Sequence, residues 1–145
     1  MTLKVEFMNN APLDYTTPPW PALYWPLYGP PDVANYLYYT LDIWRFTLFW
    51  TLIFYAGTHG IVALVALVMQ VGKGQLAWQY AWIIPVSHTF VAMFEAVMAG
   101  SIVGLTLGAV YESGYFKMST WIPFTWGLIN VLFLVISSFS FSGGF

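Results

Sequence analysis

Residues 82–111 read WIIPVSHTFVAMFEAVMAGSIVGLTLGAVY, and this stretch decides the fold. It is long and apolar enough to cross a bilayer as a helix, which takes roughly 20 residues. In lipid, helices gain little from apolar burial against each other, so their association relies on close backbone approach over small side chains. Small residues recur here at every fourth position: Ala92, Ala96, Gly100, Gly104 and Gly108. We therefore expect these five to be helix-packing residues and the other spans to pack around this helix.

The spacing of the small residues also predicts how they divide between neighbours. A helix turns about 100° per residue, so positions four apart drift by about 40° per step. Five such positions cover a wide arc of the helix surface. We therefore expect one neighbouring helix to meet Gly100, Gly104 and Gly108, and another to meet Ala92 and Ala96.

The composition of the whole chain is typical of a membrane protein. Of its 145 residues, 59% are hydrophobic and only 7% are charged, whereas soluble domains are about 25% charged. With four Lys and Arg residues in total, the chain has no basic face for nucleic acid. It contains no Cys, which excludes disulfides, thiolate metal sites and iron–sulfur clusters. No cofactor and no metal are expected.

Hydropathy predicts an all-α membrane protein with three transmembrane helices. The spans cover about residues 43–71, 82–111 and 121–141, within a transmembrane domain of residues 43–145. Residues 1–42 form a separate segment rich in proline and aromatic residues. Its Pro-Pro pairs at 18–19 and 30–31 disfavour a long helix. We expect a short interfacial helix to begin at Asp32 and run to Thr40.

The aromatic residues of the N-terminal segment predict an interfacial location. Tyr and Trp favour the headgroup layer, because one end of the side chain is apolar and the other is polar. We expect this segment to lie on the membrane surface or to dock on a partner. The side chains that would do so are Trp20, Tyr24, Trp25 and Tyr28, with Trp44 at the start of the first span.

Two ionisable residues lie near the middle of the membrane. His59 is about 18 Å before Val71 at the end of the first span, and Glu95 is about 21 Å after Ala81, just before the second. Because the two spans are antiparallel, the side chains reach similar depths. The favoured interpretation is a structural interhelical hydrogen bond, which is common in membranes. A Glu95 that faces a partner is the other form of this structural interpretation. The functional alternative is a proton-linked or headgroup-binding site.

His88 is the third intramembrane polar residue. It precedes Glu95 by seven residues on the same helix face, a separation of about 10 Å. This is too far for direct contact, and one shared metal site is not expected. The chain contains no zinc-protease motif, phosphate loop or paired carboxylates. We therefore do not expect an enzyme.

Three short motifs, one in each span and in this order, resemble the transmembrane protein 170 family. They are Trp44-x5-Trp50-x8-His59, then Ala99-Gly100 followed by Val110-Tyr111, and finally Ile122-Pro123-Phe124. The resemblance covers about residues 43–140. It implies a small three-span protein of the endoplasmic reticulum or nuclear envelope that shapes membranes or serves as a subunit of a bridge-like lipid-transfer protein. Glu95 stands where better-known members have a small neutral residue, so the resemblance implies no role for it.

The resemblance and the charge distribution disagree on orientation. Lys4, Arg45 and Lys117 lie on the N-terminal side and Lys73 lies on the other, so the positive-inside rule places the N-terminus in the cytosol. The resemblance implies a lumenal N-terminus, and we follow it because four charges are a small count.

Two functions from different classes are compatible with these features. The first is a non-catalytic membrane subunit that shapes the bilayer or anchors a lipid-transfer assembly, with membrane lipids and a larger membrane protein as its partners. The second is a small transporter or channel element, in which His59 and Glu95 line a polar path after oligomerisation.

Overall fold

The computed structural model describes residues 11–24, 35–72 and 78–142. Three helices make up most of it: α1 (Thr40–Gly72), α2 (Ile83–Ser113) and α3 (Trp121–Ser142). All three are long and apolar enough to cross a membrane, which confirms the predicted fold class. Each helix boundary lies within three residues of its expected position. The largest difference is at α1, which includes three residues that we assigned to the N-terminal segment.

Local interactions explain how these helices satisfy their polar groups in an apolar solvent. In lipid, every backbone polar group needs a partner within the protein. The hydroxyls of Thr47 and Thr51 donate to the carbonyls four residues earlier, at 2.8 Å each. Pro85 lies in the first turn of α2, where its missing N–H has no carbonyl to meet. At the other end of α2, the Gly114 N–H donates to the Val110 carbonyl.

The central helix of the bundle is α1, and our expectation that residues 82–111 would be central was wrong. α1 packs against both other helices, whereas α2 and α3 contact each other at few positions. Each neighbour brings a glycine to α1. A Cβ on Gly100 would lie 3.1 Å from the Leu48 Cα, and a Cβ on Gly127 of α3 would lie 3.1 Å from the Thr51 backbone nitrogen. The larger side chains of α1 fill these two clefts, so α1 lies between α2 and α3.

All five small residues of α2 are buried. Gly100, Gly104 and Gly108 meet one helix, α1, as expected, but Ala92 and Ala96 do not leave α1 for another neighbour. Gly104 and Gly108 face Trp44 and Thr40 at the start of α1. Ala92 lines a groove shared with α1, and Ala96 belongs to a buried cluster with Tyr55 of α1 and Val131 of α3. A stripe with a period above 3.6 residues can follow a single neighbour when the two helices wind around each other.

A two-stranded antiparallel sheet closes one end of the bundle. β1 (Tyr36–Leu37) pairs with β2 (Met118–Ser119), so that Leu37 is opposite Met118. Both of these side chains are fully buried against Ile43 and Phe46 of α1. The expected interfacial helix from 32 to 40 is therefore wrong at 36–37, because this stretch takes its hydrogen bonds from the link between α2 and α3. Its first part, residues 32–34, lies outside the described residues.

Candidate functional site

A His–Glu pair joins α1 and α2 inside the membrane-spanning region. The His59 Nε2 lies 3.2 Å from the Glu95 Oε2. The His59 side chain is 16% exposed and the Glu95 side chain is 39% exposed. The acid therefore lies at the edge of the interface, with one side against α1. The antiparallel helices bring these two predicted site residues together.

His88 is connected to the His59–Glu95 pair by its contact with the His59 ring. The ring centroids of His88 and His59 are 5.9 Å apart, so His59 lies next to both other residues although they are a turn or more apart on α2. Counting residues along α2 alone did not show this, because the connection runs through the other helix. Within the part of the chain that the structure describes, no three His, Cys, Asp or Glu residues are arranged to hold a metal ion.

Further contacts connect His59 along α1 to polar residues of α3. The Tyr55 ring stacks on His59 with centroids 6.3 Å apart, and the Tyr55 hydroxyl donates to the Asn130 carbonyl at 3.3 Å. The Asn130 amide in turn donates to the Thr51 hydroxyl at 3.2 Å. Sequence reasoning missed the contributions of Tyr55, Asn130 and Thr51. The available signal was the four-residue spacing of Thr47, Thr51, Tyr55 and His59, which matches the spacing of the small residues on α2.

A groove of about 550 Å³ lies between α1 and α2 beside the histidines. His59 and His88 line it, together with small side chains that include Gly60, Ala63 and Ala92. The rest of the lining is almost entirely apolar. The groove is thus an apolar space with two imidazole groups in its wall.

Trp20 and Tyr24 of the N-terminal segment contact other parts of the same chain. The Trp20 ring centroid is 6.0 Å from that of Phe49 and 5.3 Å from that of Trp50, both on α1. The Tyr24 hydroxyl is 3.1 Å from the Ser119 Oγ, and the Tyr24 carbonyl accepts a 2.8 Å hydrogen bond from the Trp121 indole. Docking of this segment to a partner or to the membrane surface stays a prediction.

Three more residues were predicted to be interfacial or to dock on a partner: Trp44, Trp25 and Tyr28. Trp44 lies at the interface of α1 with α2, where its Cα is 3.0 Å from the position of a Cβ on Gly104. It is thus part of the helix packing, and its predicted interfacial or partner-docking role stays a prediction. Trp25 and Tyr28 lie outside the described residues.

Further polar contacts hold the same end of the bundle. The Tyr15 hydroxyl donates to the Tyr36 carbonyl at 2.9 Å, and burial raises the pKa of Tyr15 to about 12. The Thr17 hydroxyl donates to the Asp42 carboxylate at 2.7 Å. The Thr120 hydroxyl donates to the Ala22 carbonyl at 2.8 Å. These bonds tie residues 15–22 to the starts of α1 and α3.

Comparison with known proteins finds one family and one relative. The family model described as "Transmembrane protein 170A/B-like" matches residues 36–143. The Saccharomyces cerevisiae protein with the name "Uncharacterized protein YPR153W" is 34% identical over 135 residues, which cover 93% of each chain. No solved structure matches the chain.

Proposed function

The chain belongs to the transmembrane protein 170A/B-like family, and on this premise we propose that it is a non-catalytic subunit of the endoplasmic reticulum membrane. In this role it shapes the bilayer or anchors a lipid-transfer protein assembly. The N-terminal segment is then lumenal, and the far end of α3 is cytosolic. The family resemblance supports both the compartment and the orientation.

The observation that carries this proposal is the apolar surface that the bundle leaves uncovered. α2 and α3 each pack on α1 and contact each other little. Phe90 and Phe94 of α2 and Phe133 and Phe139 of α3 are all at least 70% exposed. In a bilayer, such faces meet lipid chains or the helices of another subunit. A three-helix protein with this much free helical surface is suited to binding a larger membrane protein.

Native purification with mass spectrometry tests the proposal. The tagged protein is extracted in a mild detergent, and its partners are identified and their stoichiometry measured. We expect one larger membrane protein in stoichiometric amount. Phe133→Ser should lower its recovery, because the Phe133 side chain is exposed on α3. Recovery of the protein alone, at a single defined size, would contradict the proposal.

A second candidate function rests on the His59–Glu95 pair. Together with His88 it forms a polar group inside the spans, which is the kind of feature that marks proton and ion pathways. A small transporter or channel element would use it after oligomerisation. Reconstitution in liposomes with a pH-sensitive dye distinguishes the two functions. A proton flux that Glu95→Gln abolishes favours the transporter, and its absence, together with a stoichiometric partner, favours the membrane subunit.

A further inference from the structure

The groove between α1 and α2 has the size and shape of a ligand site. Its volume of about 550 Å³ lies within the range of roughly 300–1,000 Å³ typical of such sites. Along α1 it extends from Leu52 to Leu67, which is about 22 Å at the helical rise of 1.5 Å per residue. This exceeds half of the roughly 30 Å hydrocarbon thickness of a bilayer. The groove is therefore long enough to hold an acyl chain of one leaflet.

The groove opens sideways from the bundle. Leu64 of α1 and Met93 of α2 line it and are more than half exposed, so its rim faces the surroundings of the helices. Its floor consists of small residues, including Gly60, Ala63 and Ala92. In a membrane, these surroundings are lipid chains. An apolar chain can therefore enter from the bilayer without passing through water.

His88 gives this apolar groove one free hydrogen-bonding group. The His59 Nε2 is already used by Glu95, whereas no hydrogen bond joins the His88 imidazole to another described residue. The His88 ring centroid lies 5.9 Å from that of His59. An unpaired polar group in an apolar environment is destabilising. An occupant that carries a hydrogen-bond acceptor removes this cost.

The depth of His88 indicates which acceptor it meets. Tyr80 and Trp82 are exposed at the start of α2, and such residues mark the headgroup layer. His88 follows Trp82 by six residues, which places it about 9 Å deeper. The headgroup region is roughly 5–7 Å thick on each side of the hydrocarbon core. His88 therefore lies near the boundary between the headgroup layer and the hydrocarbon on the side of Trp82, where glycerolipids carry their ester carbonyls.

We propose that this groove binds one acyl chain of a glycerolipid from the leaflet that contains Trp82, and that the ester carbonyl accepts a hydrogen bond from the His88 imidazole. The acyl chain follows the small residues of the groove towards Leu52 and Met93. The site goes beyond the proposed function, because a membrane anchor needs no lipid site of its own.

Photo-crosslinking of the full chain in lipid nanodiscs tests the site. The probe is phosphatidylcholine with a diazirine in one acyl chain, and crosslinked peptides are mapped by mass spectrometry. We expect crosslinks at Ala56, Gly60 and Met93 to exceed those at Phe133, which is exposed on α3. Equal labelling of all exposed apolar residues would overturn the proposal, since it would show annular lipid only.

Two glycines of α1 provide a matched pair of variants. A Cβ at Gly57 or at Gly60 meets nothing within 4 Å, so a side chain can begin at either position without a clash, but only Gly60 lines the groove. Gly60→Leu should strongly reduce crosslinking at Ala56 and Met93, and Gly57→Leu should leave it unchanged. Equal effects of the two variants would overturn the proposal.

The role of His88 has its own test. An ether-linked analogue of the probe lacks the ester carbonyl but keeps a hydrocarbon chain of the same length with the same diazirine. In the unmodified protein, the ester probe should crosslink about two- to tenfold more than the ether probe, which is the effect expected of one hydrogen bond. His88→Leu should remove this preference. A preference that persists in His88→Leu, or groove crosslinks to a second protein copy, would overturn the assignment.

Discussion

Glu95 lies about 18 Å from the start of α2, deep in the span, and its environment explains how the helix tolerates it. A carboxylate at the centre of a helix costs roughly 2.5–3.5 kcal/mol on insertion scales. The 3.2 Å contact with His59 supplies a partner from the adjacent helix. The same contact serves equally well as a charged pair or as a hydrogen bond between neutral groups. The structural interpretation therefore needs no function for Glu95.

A double-mutant cycle measures this contact. Glu95→Gln should be tolerated, because the amide keeps a hydrogen-bonding group next to His59. Glu95→Leu and His59→Ala should each destabilise the protein, and together they should be less than additive. The coupling expected for an interhelical hydrogen bond is about 0.6 kcal/mol and at most roughly 1.7. Stability of the four proteins in detergent provides the values.

Two results would contradict this account of the pair. Strict additivity of Glu95→Leu and His59→Ala would show that the residues do not interact energetically. Increased stability of Glu95→Leu with its partners still bound would show that the carboxylate is only a cost.

Gly104 is one of the α2 residues that approach the backbone of α1 most closely. A Cβ there would lie 3.0 Å from the Trp44 Cα and 3.2 Å from the Thr47 Cβ. The first of these atoms belongs to the backbone, so it cannot rotate away. We expect Gly104→Leu to disrupt the bundle far more than Leu105→Ala does, because the Leu105 side chain is exposed.

A smaller substitution makes the comparison quantitative. Gly104→Ala should destabilise the protein by about 1–3 kcal/mol, the usual range for overpacking. Gly57→Ala is the control, because its Cβ would meet nothing within 4 Å, and removing a helical glycine stabilises by roughly 0.5–1 kcal/mol. Thermal unfolding in detergent gives both changes. A similar response of the two variants would show that the small-residue stripe does not carry the packing.

At the level of the elements, α1 and α2 have complementary surfaces with the same period. Thr47, Thr51, Tyr55 and His59 of α1 lie opposite the glycine and alanine stripe of α2. The threonine hydroxyls bond to their own helix, so they add volume to the interface without leaving unpaired groups. One helix thus supplies the bulk and the other supplies the space for it.

The N-terminal segment is the second element whose docking can be tested. Trp20 packs on Phe49 and Trp50, so Trp20→Ala should loosen residues 11–24 and increase their cleavage by protease. Leu13→Ala is the control, because Leu13 is 95% exposed. Equal protease sensitivity of Trp20→Ala and the unmodified protein would contradict the packing of Trp20 on α1.

Deletion of residues 1–30 should leave the spans inserted and weaken docking to a partner.

At the level of the whole molecule, three spans place the two ends of the bundle on opposite sides of the membrane. The β1–β2 pair holds residues 36–37 and 118–119 at the same end, and residues 15–24 contact both. Residues 78–82 lie at the other end, between α1 and α2. In a test of orientation, residues 15–24, 36–37 and 118–119 should therefore all lie on one side of the membrane, and residues 78–82 on the other.

The absence of Cys makes single-cysteine labelling suitable for this test. In sealed microsomes, an impermeant maleimide should label Gln79→Cys from the cytosol and should reach Leu13→Cys only after detergent is added. Phe116→Cys is the internal control and should behave as Leu13→Cys does. Labelling of Leu13→Cys in intact microsomes would show a cytosolic N-terminus, as the charge count suggests.

The sequence by itself determined the class of the protein, the number of spans and the location of the turns between them, because hydropathy and length are properties of each segment alone. It also identified the small residues and brought His59 and Glu95 to the same depth by counting along two antiparallel helices. Only the tertiary structure decided that α1 is central, that residues 36–37 pair with residues 118–119, and that His59 lies between Glu95 and His88. The physical reason is that the choice of a neighbour depends on the fit of two distant surfaces. The cleft at Gly127 and the side chains of Trp50 and Thr51 that fill it are on different helices, so neither segment alone shows that they belong together.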